Sequence, residues 1–159
     1  MGIVVVEGCD GSGKTTLIER ARENQKNRYF LVVRASRYPP DKKTAFQYLH
    51  WIRRQKELPL ILDRMHFISD RVYGPILRNE DLFQDLPLTF GLSEISAVVY
   101  ARPPAEKIIE NVNAQTHLKG VRENIDSLIG AYDILMMKLA AQGVQVINFD
   151  YTQDEAVSF

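Results

Sequence analysis

Five short apolar runs punctuate the chain, and the stretches between them repeat their apolar positions at helical spacing. Ile3 to Val6 is wholly β-branched, which suits a strand covered on both faces within a parallel sheet. Tyr29 to Arg34, Leu60 to Leu62, Ser96 to Ala101 and Val144 to Phe149 are further runs of this kind. Between them the spacing predicts helices over Lys14 to about Asn24, over Lys43 to Lys56 and over His66 to Leu77, the last bent or ended by Gly74-Pro75. Pro104 to Gln115 reads as a helix with proline in its first turn. His117 to Gly120 interrupts it, and Val121 to Gln142 is predicted as the longest helix, capped by Gly143. Pro39-Pro40 excludes regular helix between Ser36 and Asp41, and Asn79 to Leu92 is expected to be irregular.

Strand–helix alternation of this kind predicts an α/β fold: a five-stranded, mostly parallel sheet with helices on both faces, in one domain over residues 1–159. In such sheets ligands bind at the carboxyl ends of the strands. Gly8–Thr15, Arg34–Pro39, Asp63–Arg71 and Ala101–Pro103 are therefore expected along one edge. Twenty basic residues balance twenty acidic ones, so no global field draws the chain to nucleic acid or membrane. The single cysteine, Cys9, excludes an internal disulfide framework. No apolar run approaches the roughly 20 residues that span a bilayer, and the first residues lack the layout of a secretion signal. A cytoplasmic protein is the expectation.

Gly8-Cys9-Asp10-Gly11-Ser12-Gly13-Lys14-Thr15 fits the phosphate-binding pattern G-x-x-x-x-G-K-[ST] without a mismatch, directly after a strand and at the start of a helix. The glycines let the backbone point several N–H groups at a triphosphate, and the helix adds its positive end. This predicts a P-loop NTPase fold, with Lys14 on the β and γ oxygens, the Thr15 hydroxyl at a Mg²⁺ position and Thr16 beside it. Asp63 ends an apolar strand, where a carboxylate holds Mg²⁺ through water or serves in acid–base work; a strand-end turn is the competing reading. Cys9, near a helix start, is either an acidified thiol or a tolerated small residue.

These residues carry a resemblance. Glu7-Gly8-Cys9-Asp10-Gly11-Ser12-Gly13-Lys14-Thr15-Thr16 resembles the E-G-x-D-G-x-G-K-T-T opening of thymidylate kinases, Arg37-Tyr38-Pro39 their R-[FY]-P loop, and Asp63-Arg64 their D-R pair. Asp63 to Arg71 is also similar to the E-R-S…S-D-R run of deoxynucleoside kinases. The resemblance implies a nucleoside monophosphate kinase type of fold that uses ATP and Mg²⁺ to phosphorylate a dTMP-like deoxynucleoside 5′-monophosphate. It implies that Asp10 bonds the acceptor 3′-hydroxyl and that Arg64 binds the acceptor phosphate, with Arg37 and Arg71 behind it. Phe67 and Tyr73 become candidate walls for the base, although aromatics at helical spacing are more often core. The acceptor region would span about 37–57 and 63–78, and a short lid about 113–123. That lid offers Lys119 and Arg122. Arg122 is the expected γ-phosphate clamp, with Lys119 and Arg102 behind it. A homodimer packed through helices also follows from the resemblance.

Three alternatives stay open on the residues. A deoxynucleoside kinase would use Asp63 as base on a 5′-hydroxyl. A kinase acting on a hydroxymethyl pyrimidine within DNA would need a local basic groove. A nucleotide-binding switch would act through a protein partner without phosphorylating a small acceptor.

Overall fold

The β-branched run at the start forms strand β1 (Ile3–Glu7), buried along its whole length in the middle of a five-stranded sheet. The computed structural model describes residues 2–24, 30–37, 39–55, 57–116 and 118–153, with the Lys119 side chain left aside. Tyr29, Tyr38, Lys56 and His117, each part of an expectation above, lie outside them.

After β1 come α1 (Lys14–Asn24), β2 (Leu31–Arg34), α2 (Lys42–Arg54), β3 (Leu60–Asp63), α3 (His66–Arg78), β4 (Ile95–Ala101), α4 (Ala105–Asn113), α5 (Lys119–Glu123), α6 (Ile125–Ala141) and β5 (Val146–Phe149). The strand order is β2-β3-β1-β4-β5, and every pairing is parallel. The register sets the functional edge: Val6 lies opposite Asp63 and Glu7 opposite Tyr100, so three strands deliver their last residues at one level. Leu17, Ile18 and Ala21 of α1 cover one sheet face with Val4, Val6, Ile61 and Val99. The larger core lies on the other face, where α2 to α6 pack over Ile3, Val5, Leu62 and Val98.

Two helix boundaries depart from the pattern-based expectation. The apolar spacing of Val121 to Gln142 runs through two helices, because Val121 and Ile125 both enter the core while Asn124, at φ −121° and ψ 14°, breaks the backbone between them. Helix α3, by contrast, passes through Pro75 and ends only at Asn79, which takes the left-handed conformation (φ 54°) and leaves α3 capped through the Gly74 carbonyl. Pro39 is buried and Asp41 caps α2, its carboxylate accepting from the Thr44 amide at 2.7 Å.

Candidate active site

The turn from β1 into α1 can only be closed by residues without side chains. Gly8 (φ 143°) and Gly13 (φ 88°) occupy backbone regions that favour glycine. A Cβ on Gly8 would come 2.7 Å from the Ala101 carbonyl, and one on Gly13 would run into the Tyr151 ring. Lys14 is buried beneath the loop, its Nζ donating to the carbonyls of Gly8 (3.0 Å) and Cys9 (2.8 Å). Burial, then the nearby Arg64 charge, pulls the Lys14 ammonium down to about 8. The buried Ser12 hydroxyl has no hydrogen-bond partner among the described residues. Asn111 of α4 braces the loop from outside, donating to the Gly11 carbonyl at 2.8 Å and the Tyr151 hydroxyl at 2.9 Å.

These groups border a cavity of about 540 Å³ at the carboxyl edge. Asp10, Gly11, Gly13, Lys14, Thr15 and Thr16 form one wall, and Arg34, Asp63, Arg64 and Asn111 face them. A glycine-built loop, a buried ammonium bonded among the described residues only to carbonyls, and a Ser12 hydroxyl without a partner among them together fit a polyphosphate. Thr15 and Asp63 offer the oxygen donors that a hard divalent cation takes alongside phosphate oxygens. Asp63 is 14% exposed and ion-paired to Arg34 at 3.5 Å.

Beside this cavity lies a buried polar network that draws on five segments. Arg64 sits just past β3 with φ 75°, and this left-handed turn directs its guanidinium under the loop. Its Nη1 donates to the Gly8 carbonyl (3.1 Å) and the Tyr132 hydroxyl (3.2 Å), and its Nη2 to Asp10 (3.2 Å) and the Tyr73 hydroxyl (3.4 Å). Asp10 also receives Arg37 Nε at 2.8 Å and the Tyr73 hydroxyl at 2.9 Å. Burial works against the Asp10 charge, yet Arg64, Lys14 and Arg37 hold its carboxyl below the usual range. Glu7, fully buried, accepts from the Met65 amide (2.7 Å), Ser69 (2.9 Å) and Tyr132 (2.9 Å). Burial pushes its carboxyl up against the pull of Arg64 and those donors.

Several expected site residues point elsewhere. Arg71 is turned away from the cavity: its guanidinium donates to the carbonyls of Leu86 (2.9 Å) and Pro87 (3.1 Å) and faces Asp81, fastening the irregular segment after α3. Arg102 is held by Asp133, with Nε and Nη2 at 2.8 and 3.0 Å, and its Nη1 donates to the Pro103 carbonyl at 2.7 Å. Arg122 donates to the carbonyls of Asn113 (3.2 Å) and Gln115 (2.9 Å), satisfying the end of α4 instead of a γ-phosphate position. Phe67 is core, packed against Phe46, Phe83 and Phe90, so it forms no base wall. Cys9 is buried, and burial raises its thiol to about 11, which removes the acidified-thiol reading.

Tyr132, Asn111 and Tyr151 went unassigned in the sequence because the tertiary fold alone brings them to the site, and Glu7, although it adjoins the loop, was assigned no role. The one available signal was Glu7, a charged residue at the end of an otherwise apolar strand.

No protein-family model matches the chain, and no curated protein matches it by sequence. Solved structures do. The YorR protein of Bacillus subtilis, in complex with phosphorylated GDP, is 18% identical at a TM-score of 0.68, over 95% of this chain and 86% of that one. Deoxyadenosine kinase from M. mycoides with the products dCMP and a flexible dCDP is 14% identical at a TM-score of 0.66, over 96% and 92%. The same enzyme with bound dATP is 17% identical at 0.63, over 98% and 93%. Together with the five-stranded parallel sheet, these likenesses establish that the chain has an α/β fold of the P-loop NTPase type.

Proposed function

We propose that the chain transfers the γ-phosphoryl group of ATP to a deoxynucleoside 5′-monophosphate, giving the diphosphate. One arrangement carries this reading: the anion cradle around Lys14 shares its cavity with Asp10 and Arg64, and Asp10 pairs in turn with Arg37, a second cation beside it. Two anionic substrates need such a pair of sites, since positioning and charge neutralisation supply most of the catalysis in phosphoryl transfer.

The loop amides and Lys14 bind the donor phosphates, with Lys14 exchanging its two carbonyl partners for phosphate oxygens. Thr15 and Asp63 would hold Mg²⁺, which would supply neutralisation of phosphate charge. Arg37 and Arg34 both keep donors to spare, since among the described residues each engages only its Nε, on Asp10 and Asp63 respectively; of the two, Arg37 adjoins Arg64 at Asp10. The two Nη groups of Arg37 bind no described residue, and they offer the acceptor phosphate a fork. Arg64 has both Nη groups committed and orients Asp10, which faces the acceptor sugar. An acceptor phosphate oxygen attacks Pγ in line, the bond from Pγ to the bridging oxygen breaks, and ADP leaves.

Asp63 favours a second reading. Its carboxylate borders the same cavity, where it would take the proton of a nucleoside 5′-hydroxyl, and this chain shares its fold with a deoxyadenosine kinase. Incubating the protein with [γ-³²P]ATP, Mg²⁺ and a panel of deoxynucleosides, their 5′-monophosphates and hydroxymethyl-pyrimidine duplex DNA separates the readings by product. Labelled diphosphate is the expected result; labelled monophosphate selects the nucleoside kinase, and labelled polymer the DNA kinase. Label released only as inorganic phosphate would sink all three transfer readings.

A further inference from the structure

A second cavity, of about 450 Å³, lies between α3 and the α5–α6 junction. It meets the site just described at one residue, because Arg37 lines it while pairing with Asp10 of the phosphate loop. The Asp10–Arg37 ion pair thus lies where the two cavities meet. Ile76 and Leu77 form one wall, Leu118 and Val121 the other, and Asn124 adds a polar group. Its amide nitrogen donates to the Gly120 carbonyl at 2.9 Å, which leaves the side-chain oxygen as an acceptor.

Resting on the phosphotransferase reading, we infer that this α3–α5 cavity takes the base of the acceptor, whose phosphate lies on Arg37 and whose sugar lies against Asp10. Size and chemistry agree: the volume exceeds that of a nucleobase, Ile76, Leu77, Leu118 and Val121 offer apolar faces, and Arg37, Glu123 and Asn124 supply the polar groups that would fix the edge of a base. The outer surface of α2, where sequence resemblance put part of the acceptor site, does not share a residue with either cavity. Its exposed groove at Phe46, Gln47 and His50 opens on its own.

Gly120 makes the assignment testable, since it lines the cavity and an added Cβ there meets nothing within 4 Å. Calorimetry on the full chain would compare wild type, Gly120→Trp, Leu77→Ala and His50→Ala. The probes are the four dNMPs, the corresponding deoxynucleosides, deoxyribose 5-phosphate as an acceptor without a base, and ATP. Gly120→Trp is expected to weaken dNMP binding about tenfold, and Leu77→Ala about threefold, by loss of base contacts. Deoxyribose 5-phosphate and ATP should change less than about twofold, and His50→Ala should change nothing. Unaltered dNMP binding in Gly120→Trp, or an equal loss for the abasic phosphate, overturns the assignment. So does a loss confined to His50→Ala. Wild type binding deoxynucleosides as tightly as their monophosphates would instead overturn the monophosphate reading. In that case the cavity is still judged by the effect of Gly120→Trp on the nucleosides.

Discussion

The two sides of the site, donor and acceptor on the proposed reaction, are built in opposite ways. Eight consecutive residues make the donor cradle, mostly from backbone, and its one cation, Lys14, bonds among the described residues only to carbonyls of its own loop. The acceptor side is assembled from side chains of β1, the loop, the end of β3, α3 and α6, joined through Arg64. A cation with only neutral partners can give them up to a phosphate at little cost. One that neutralises buried Asp10 and neighbours buried Glu7 cannot. The comparison teaches that binding and architecture are divided between arginines: Arg37 is placed to bind, whereas Arg64 holds the network together.

The comparison can be broken most directly at Lys14. Lys14→Ala should lower kcat/KM for transfer by about a thousandfold or more while leaving the thermal midpoint near wild type, as steady-state kinetics and calorimetric melting would reveal. Arg64→Ala should instead act on the fold, costing about 3–5 kcal/mol of unfolding free energy by leaving buried carboxylates uncompensated. Arg37→Ala should raise the acceptor KM about tenfold or more, sparing the ATP KM and costing under about 1 kcal/mol in urea denaturation. Reversal of those two outcomes would overturn the division of labour.

Titration sharpens the donor side. Free Lys14 loses its proton near 8, below its unfolded value, and bound phosphate raises that value again. Above about pH 8 nucleotide binding therefore takes up a proton, so affinity should fall by up to about tenfold per pH unit, and below pH 8 this group should contribute no slope. Nucleotide dissociation constants measured from pH 7 to 9.5 test this, and a flat profile would mean that Lys14 stays charged throughout. The smallest effect is expected at Arg122, which is exposed and tied to the end of α4. Arg122→Ala should change kcat less than about tenfold, whereas a true charge clamp would cost several orders of magnitude.

What the sequence disclosed follows the same divide. The cradle was legible because its chemistry is local: glycines, lysine and threonine at fixed spacing between a strand and a helix. The parallel sheet was legible from β-branched runs, and Asp63 from its place at a strand end. The acceptor network was not, since Tyr132 bonds Glu7 across 125 residues and Asn111 reaches Gly11 across 100. Arginines were the least legible, because Arg71, Arg102 and Arg122 each go to carbonyls or carboxylates that only the fold brings near. The break at Asn124 escaped notice because both flanking helices keep the same apolar rhythm.

The ring of Tyr151 stands where a Gly13 side chain would be, and the carbonyl of Tyr151 accepts from Arg20 at 3.0 Å. The floor of this glycine-rich loop is thus supplied by a residue beyond β5, so the motif can be present in full without being shaped. Removing the ring in Tyr151→Ala should leave every motif residue in place yet loosen the turn, and the protease resistance gained on adding nucleotide should shrink accordingly.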